Sequence, residues 1–287
     1  AIRDSAEVKE AIAIQSRRET PSEAFAADGG RAEISSIEIK NLKFAYDSSN
    51  PVIDDISMTI QKNQTIALVG PTGGGKSTLV NIICRFYEPT TGQILIDGAD
   101  YRGRSLHWLQ SNIGMVLQNA HVFSGSIIEN IRYGRLDATD EEVMQAAKIV
   151  GAHKFIETFP QGYHTDAGES GMRLSAGQKQ LVSFARAILA DPQILIMDEA
   201  TSSVDTATEQ SIQTAMQRVL AGRISIVIAH RLSTIRNADQ IIVVADGRIS
   251  EQGSHNQLID KKRAYYDLYR QQSLRESSAN LDGLLPI

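Results

Sequence analysis

Gly70-Pro71-Thr72-Gly73-Gly74-Gly75-Lys76-Ser77 fits G-x-x-x-x-G-K-[ST], and no other stretch restricts so strongly what this chain can fold into. The apolar run 65–69 before it reads as a short buried strand, and a helix is predicted from Lys76 to about Phe86. Glycines let backbone N–H groups converge on an anion with no Cβ in the way, and the helix start adds its partial positive charge. Lys76 is positioned by this pattern to reach β- and γ-phosphates, the Ser77 hydroxyl to ligate Mg²⁺, and Thr78 to donate to an α-phosphate. A strand–loop–helix unit of this kind belongs to an α/β fold.

Two further strand ends carry polar groups. Ile194-Leu195-Ile196-Met197 delivers Asp198 and Glu199, and Ile226-Val227-Ile228-Ala229 delivers His230. In open α/β sheets ligands sit at the carboxyl edge of the strands. Asp198 therefore suits a Mg²⁺ shell, Glu199 a general base for an attacking water, and His230 a contact to that water or to a γ-phosphate. The other five histidines lack such a setting, and no His/Cys spacing supports a zinc site.

Strand and turn patterns run from Ile34 (37–39, 65–69, 94–96), helical patterns fill about 120–190, and alternation of strand and helix then resumes (194–197, 224–228, 241–244). Val143, Met144, Ala147 and Val150 recur at helical spacing, as do Leu181, Ala185 and Leu189. The order reads as an α/β core with a helical insertion. Residues 4–14 read as a short helix and 16–33, with Pro21 and Gly29-Gly30, as a polar linker. A formal charge of −5 supplies no broad basic field, so nucleic acid is not an expected partner. The single cysteine, Cys84, excludes an intrachain disulfide and points to a reducing compartment. No apolar run approaches the roughly 20 residues that cross a bilayer.

Taken together, these motifs resemble the nucleotide-binding domain of ABC transporters, from about Ile34 to about Gln272. The resemblance implies a P-loop NTPase (RecA-like) α/β core with an antiparallel β-subdomain and an inserted α-helical subdomain. Residues 1–33 would be a linker or the end of a membrane-domain helix, and 273–287 a C-terminal tail. Tyr46 matches the aromatic that stacks on adenine, and Gln118 the glutamine that senses Mg²⁺ and water. Leu174, Ser175, Ala176, Gly177 and Gln178 match the signature motif, Asp205 the end of the D-loop, and His230 the switch histidine. The family brings two such domains head to tail, with ATP between the phosphate loop of one and the signature helix of the other.

The segments 163–171 and 123–131 look like the exporter branch, as does the polar N-terminal stretch. The expected protein is thus the ATPase part of an exporter at the cytoplasmic face of a membrane, itself soluble, with membrane-spanning domains fused N-terminally. Its partner would be a second such domain, identical or not, in an ATP-dependent dimer. Alternatives are a free-standing ATPase subunit of an importer or lipid extruder, and a soluble ABC ATPase. The signature carries Ala176 where the family usually has Gly, and Ser203-Val204 stand where Ala-Leu is usual. Glu199 and His230 are both present, so hydrolysis competence is expected.

Overall fold

Alternation along the strands divides the interior into two cores. In a strand successive side chains point to opposite faces. Ile66, Leu68, Ile194, Ile196, Ile224, Ile226, Ile228, Ile242 and Val244 all enter one apolar cluster. Their neighbours Ala67, Val69, Leu195, Met197, Val227, Ile241 and Val243 enter the other. A sheet buried on both faces is the setting in which such near-continuous Ile/Val runs are stable.

The computed structural model describes residues 33–47, 50–199 and 206–282. The N-terminal helix and linker expected over 1–32, and the D-loop residues 202–205, lie outside them. The strands are β1 (Ser36–Ala45), β2 (Pro51–Gln61), β3 (Thr65–Val69), β4 (Thr91–Ile96), β5 (Ala99–Asp100), β6 (Ile113–Val116), β7 (Ile194–Asp198), β8 (Ile224–Ile228), β9 (Gln240–Ala245) and β10 (Arg248–Gly253). The helices are α1 (Lys76–Ile83), α2 (Leu106–Asn112), α3 (Ile127–Arg132), α4 (Asp140–Ile149), α5 (His153–Ile156), α6 (Ala176–Ala190), α7 (Thr206–Leu220), α8 (Leu232–Asn237), α9 (His255–Lys261) and α10 (Ala264–Asp282).

Strands β2-β1-β4-β5 form an antiparallel sheet, and β10-β9-β3-β8-β7-β6 a second one, parallel except for β10. Apolar side chains of β1, β2 and β4 share the first cluster with Leu79, Val80, Ile82 and Ile83 of α1. The second cluster joins the other face of the parallel sheet to the helical part between β6 and β7. There α3, α4 and α6 start at Ser126, Thr139 and Ser175, each closing a capping box with a Glu or Gln three residues on. The expected α/β core, antiparallel sheet and helical insertion are thus all present.

One helix end differs from expectation. Helix α1 stops at Ile83 rather than near Phe86, because Arg85 turns left-handed at φ 58° and its guanidinium donates to the carbonyls of Tyr101 and Arg104. Helix α10 runs to Asp282, with no Gly or Pro to interrupt it before Gly283.

Candidate active site

Sheet order aligns the polar strand ends. The neighbours β3-β8-β7-β6 are mutually parallel, so their carboxyl ends share one edge. Along it follow the phosphate loop after β3, His230 after β8, Asp198 and Glu199 at β7, and Gln118 after β6. Thr72, Gly73, Gly75, Lys76, Ser77, Thr78, Gln118, Asp198 and His230 line a single cleft of about 420 Å³. Val52 of β2 and Ile228 complete its wall, and no motif pointed to Val52.

The loop is shaped by contacts only glycine permits. Gly70 sits at φ +139°, and a Cβ there would lie 2.0 Å from the Val244 carbonyl oxygen of β9. The buried Lys76 ammonium donates to the carbonyls of Gly70 (2.9 Å) and Pro71 (2.8 Å) across the turn. Burial holds its pKa below the ordinary value, against the pull of Asp198. Asp198 is in turn raised by burial, opposed by His230 and Lys76. Burial also lowers His230, against Asp198, so its imidazole is neutral near pH 7.

Tyr46 lies at the end of the antiparallel sheet, with its hydroxyl 3.2 Å from the Thr78 Oγ1. It packs edge-on against Phe44 and Tyr87 at 4.9 and 5.1 Å between centroids, and remains 55% exposed. An exposed π-face held by two further rings beside the phosphate loop suits a base platform. Neither Phe44 nor Tyr87 carried a sequence signal of its own.

Glu199 does not line the cleft. It is buried, and Oε2 accepts from the backbone N–H of His230 and of Arg231, both at 2.9 Å. Its Oε1 accepts from the Thr234 hydroxyl at 2.6 Å. Burial raises its pKa, with those hydrogen bonds acting the other way. On the far side of the loop, Gly70, Pro71, Thr72 and His230 border a second cavity of about 290 Å³, closed by Tyr265, Leu268 and Tyr269 of α10. From that helix Gln272 donates to the His230 carbonyl at 2.7 Å.

The segment Leu174–Gln178 stands apart from this cleft, at the start of α6. Ser175 is the N-cap: its hydroxyl oxygen accepts from the Gln178 N–H at 3.2 Å, and the Gln178 side chain accepts from the Ser175 N–H at 2.9 Å. Leu174 and Gly177 are buried, whereas Ser175 and Ala176 face outward. The first N–H groups of a helix have no intrahelical partner, so this end offers donors outward.

Comparison with known proteins gives this geometry its family. The ABC transporter family profile matches residues 53–202. An uncharacterized ABC transporter ATP-binding protein of Bacillus subtilis (strain 168) is 52% identical over 83% of the chain. The chain belongs to the ABC transporter family. This makes it an ATP-binding domain with the P-loop NTPase fold. The fatty acid ABC transporter ATP-binding/permease protein of Mycobacterium tuberculosis (strain CDC 1551 / Oshkosh) is 50% identical over 82% of the ABC chain. The ATP-dependent lipid A-core flippase of Syntrophus aciditrophicus (strain SB) is 49% identical over 82%. The chain spans 39%, 37% and 39% of these three relatives' own lengths. A bacterial Atm1-family ABC exporter with ATP bound has the same fold, with a TM-score of 0.79, 39% identity, and coverage of 88% of this chain and 44% of that one.

Proposed function

We propose that this chain is the ATPase domain of an ABC exporter, and that it closes with a second such domain around two ATP molecules to drive translocation. The observation that carries the reading is the single cleft shared by Lys76, Ser77, Gln118, Asp198 and His230 at the carboxyl edge of the parallel sheet. Relatives named as ATP-binding/permease proteins support membrane-spanning domains on the same polypeptide. Residues 1–33 would connect to them, residues 34–272 would be the ATPase domain, and the domain would lie at the cytoplasmic face of a membrane. No helix among the described residues is long and apolar enough to cross one.

The donors in the cleft fit Mg²⁺: a hydroxyl, an amide and one carboxylate are hard oxygen ligands, and this ion is usually held by few protein groups together with substrate phosphates. Ser77, Gln118 and Asp198 would hold it, and when bound it would neutralise charge on the phosphate oxygens. The loop N–H groups and Lys76 bind the β- and γ-phosphates, Thr78 the α-phosphate, and Tyr46 stacks on the adenine. Glu199 accepts the proton of the attacking water, and the neutral His230 orients that water or the γ-phosphate. The outward-facing start of α6 on a second domain, Leu174–Gln178 with the Ser175 hydroxyl, completes the phosphate shell in trans. Asp205 would belong to the D-loop. ATP contacts that exist only in the closed dimer shift the population toward closure.

The reading is tested by titration and turnover. Lys76→Ala should lose ATP binding, and undiminished affinity would reject the phosphate-loop assignment. Glu199→Gln should bind Mg-ATP normally but lose hydrolysis by on the order of a hundredfold or more. Wild-type turnover would remove Glu199 from the base role.

A further inference from the structure

A base must present a lone pair to the water it deprotonates, yet Glu199 is turned away from the cleft. An ionised carboxylate offers about four acceptor positions. Three are taken, by the N–H groups of His230 and Arg231 and by the Thr234 hydroxyl. The Arg231 Nε adds a charge at 3.8 Å and is itself anchored, since the same guanidinium pairs with Glu209 of α7.

The loop on which the carboxylate rests is tied down on every side. Ala229 N–H donates to Leu68 of β3 at 3.1 Å, Glu199 N–H donates to the Ile228 carbonyl at 3.1 Å, and Gln272 of α10 holds the His230 carbonyl. Thr234 is buried in α8. With the backbone held at both strand ends, bringing the carboxylate to the cleft requires rotation of the Glu199 side chain out of its hydrogen bonds with His230, Arg231 and Thr234.

We propose that Thr234 is a positioning residue that latches Glu199 away from the nucleotide cleft, so that the Thr234–Glu199 hydrogen bond must break before each hydrolysis. The latch rests on the reading of Glu199 as the base. It restrains turnover while ATP is bound but the carboxylate has not yet rotated outward. It leaves nucleotide binding untouched, because Thr234 does not line the cleft.

The test is steady-state hydrolysis of Mg-ATP by the 287-residue chain. Thr234→Val, of nearly the same shape but without the hydroxyl, should raise kcat on the order of three- to tenfold with KM changed less than about twofold. Thr234→Ser, which restores the donor, should return both to wild-type values. An unchanged or lowered kcat in Thr234→Val, while Glu199→Gln is inactive, overturns the latch and leaves the base assignment standing. Turnover by Glu199→Gln at the wild-type rate overturns the base assignment and the latch with it. Should Thr234→Val fail to fold, amide hydrogen exchange in the nucleotide-free chain decides. Exchange at His230 and Arg231 should quicken about tenfold or more in Glu199→Ala, and unchanged exchange overturns the withdrawn position.

Discussion

At the scale of single residues, the site is a set of ionisable groups held out of water beside one another. Glu199 shows the consequence for stability. Its folded pKa is raised above the ordinary 4.5, so burying the ionised form opposes folding. The corresponding stability is present below pH 4.5 and is lost as pH rises through the folded value. Glu199→Gln carries no such charge. Its melting temperature should exceed that of the wild type at pH 8, with the gain shrinking as pH falls toward 4.5 in paired calorimetric scans. Cys84 gives a second residue-scale prediction. Burial in the core that holds α1 pushes its thiol up to about 12. The thiolate is the reactive species. Iodoacetamide at pH 8 should leave the native chain unlabelled by intact mass, whereas the urea-unfolded chain should gain one adduct.

At the scale of elements, the signature segment has two duties on its two faces. Its outward face was legible from sequence: Ser175 caps the helix and leaves donors pointing away from the chain. Its inward face was not. A Cβ on Gly177 would lie 2.3 Å from the Thr208 Cγ2 of α7, so this glycine sets how closely α6 and α7 pack. Gly177→Ala should destabilise the chain by about 1–3 kcal/mol in urea unfolding. Adding Thr208→Ser, which removes that methyl, should recover most of the loss. Ala176 is exposed among the described residues, so its methyl faces outward from the helix start. Its departure from the usual glycine is a matter for whatever lies against the helix start.

At the scale of the whole molecule, one chain holds both a phosphate loop and a signature helix, but they do not meet. The cleft is lined without any residue of Leu174–Gln178. Two domains facing head to tail would supply each other's missing half. In Mg-ATP, Glu199→Gln should therefore run at twice the monomer mass by light scattering, and Glu199→Gln/Ser175→Arg should remain monomeric while still binding nucleotide. A dimer that persists unchanged with Ser175→Arg would reject the trans contact.

The sequence by itself determined the strands and their chemistry. Short continuous apolar runs marked β3, β7, β8 and β9, and the glycines, Lys76, Asp198 and His230 marked the carboxyl ends of the first three, because backbone geometry and phosphate binding restrict those positions locally. Tertiary structure alone decided which ends lie side by side, since the order β3-β8-β7-β6 arises from pairing between strands far apart in the chain. It decided the aromatic wall around Tyr46, the packing role of Gly177, and the grip of Thr234 on Glu199. Each depends on contact between segments whose local sequence says nothing of the other, and 35 residues separate that last pair.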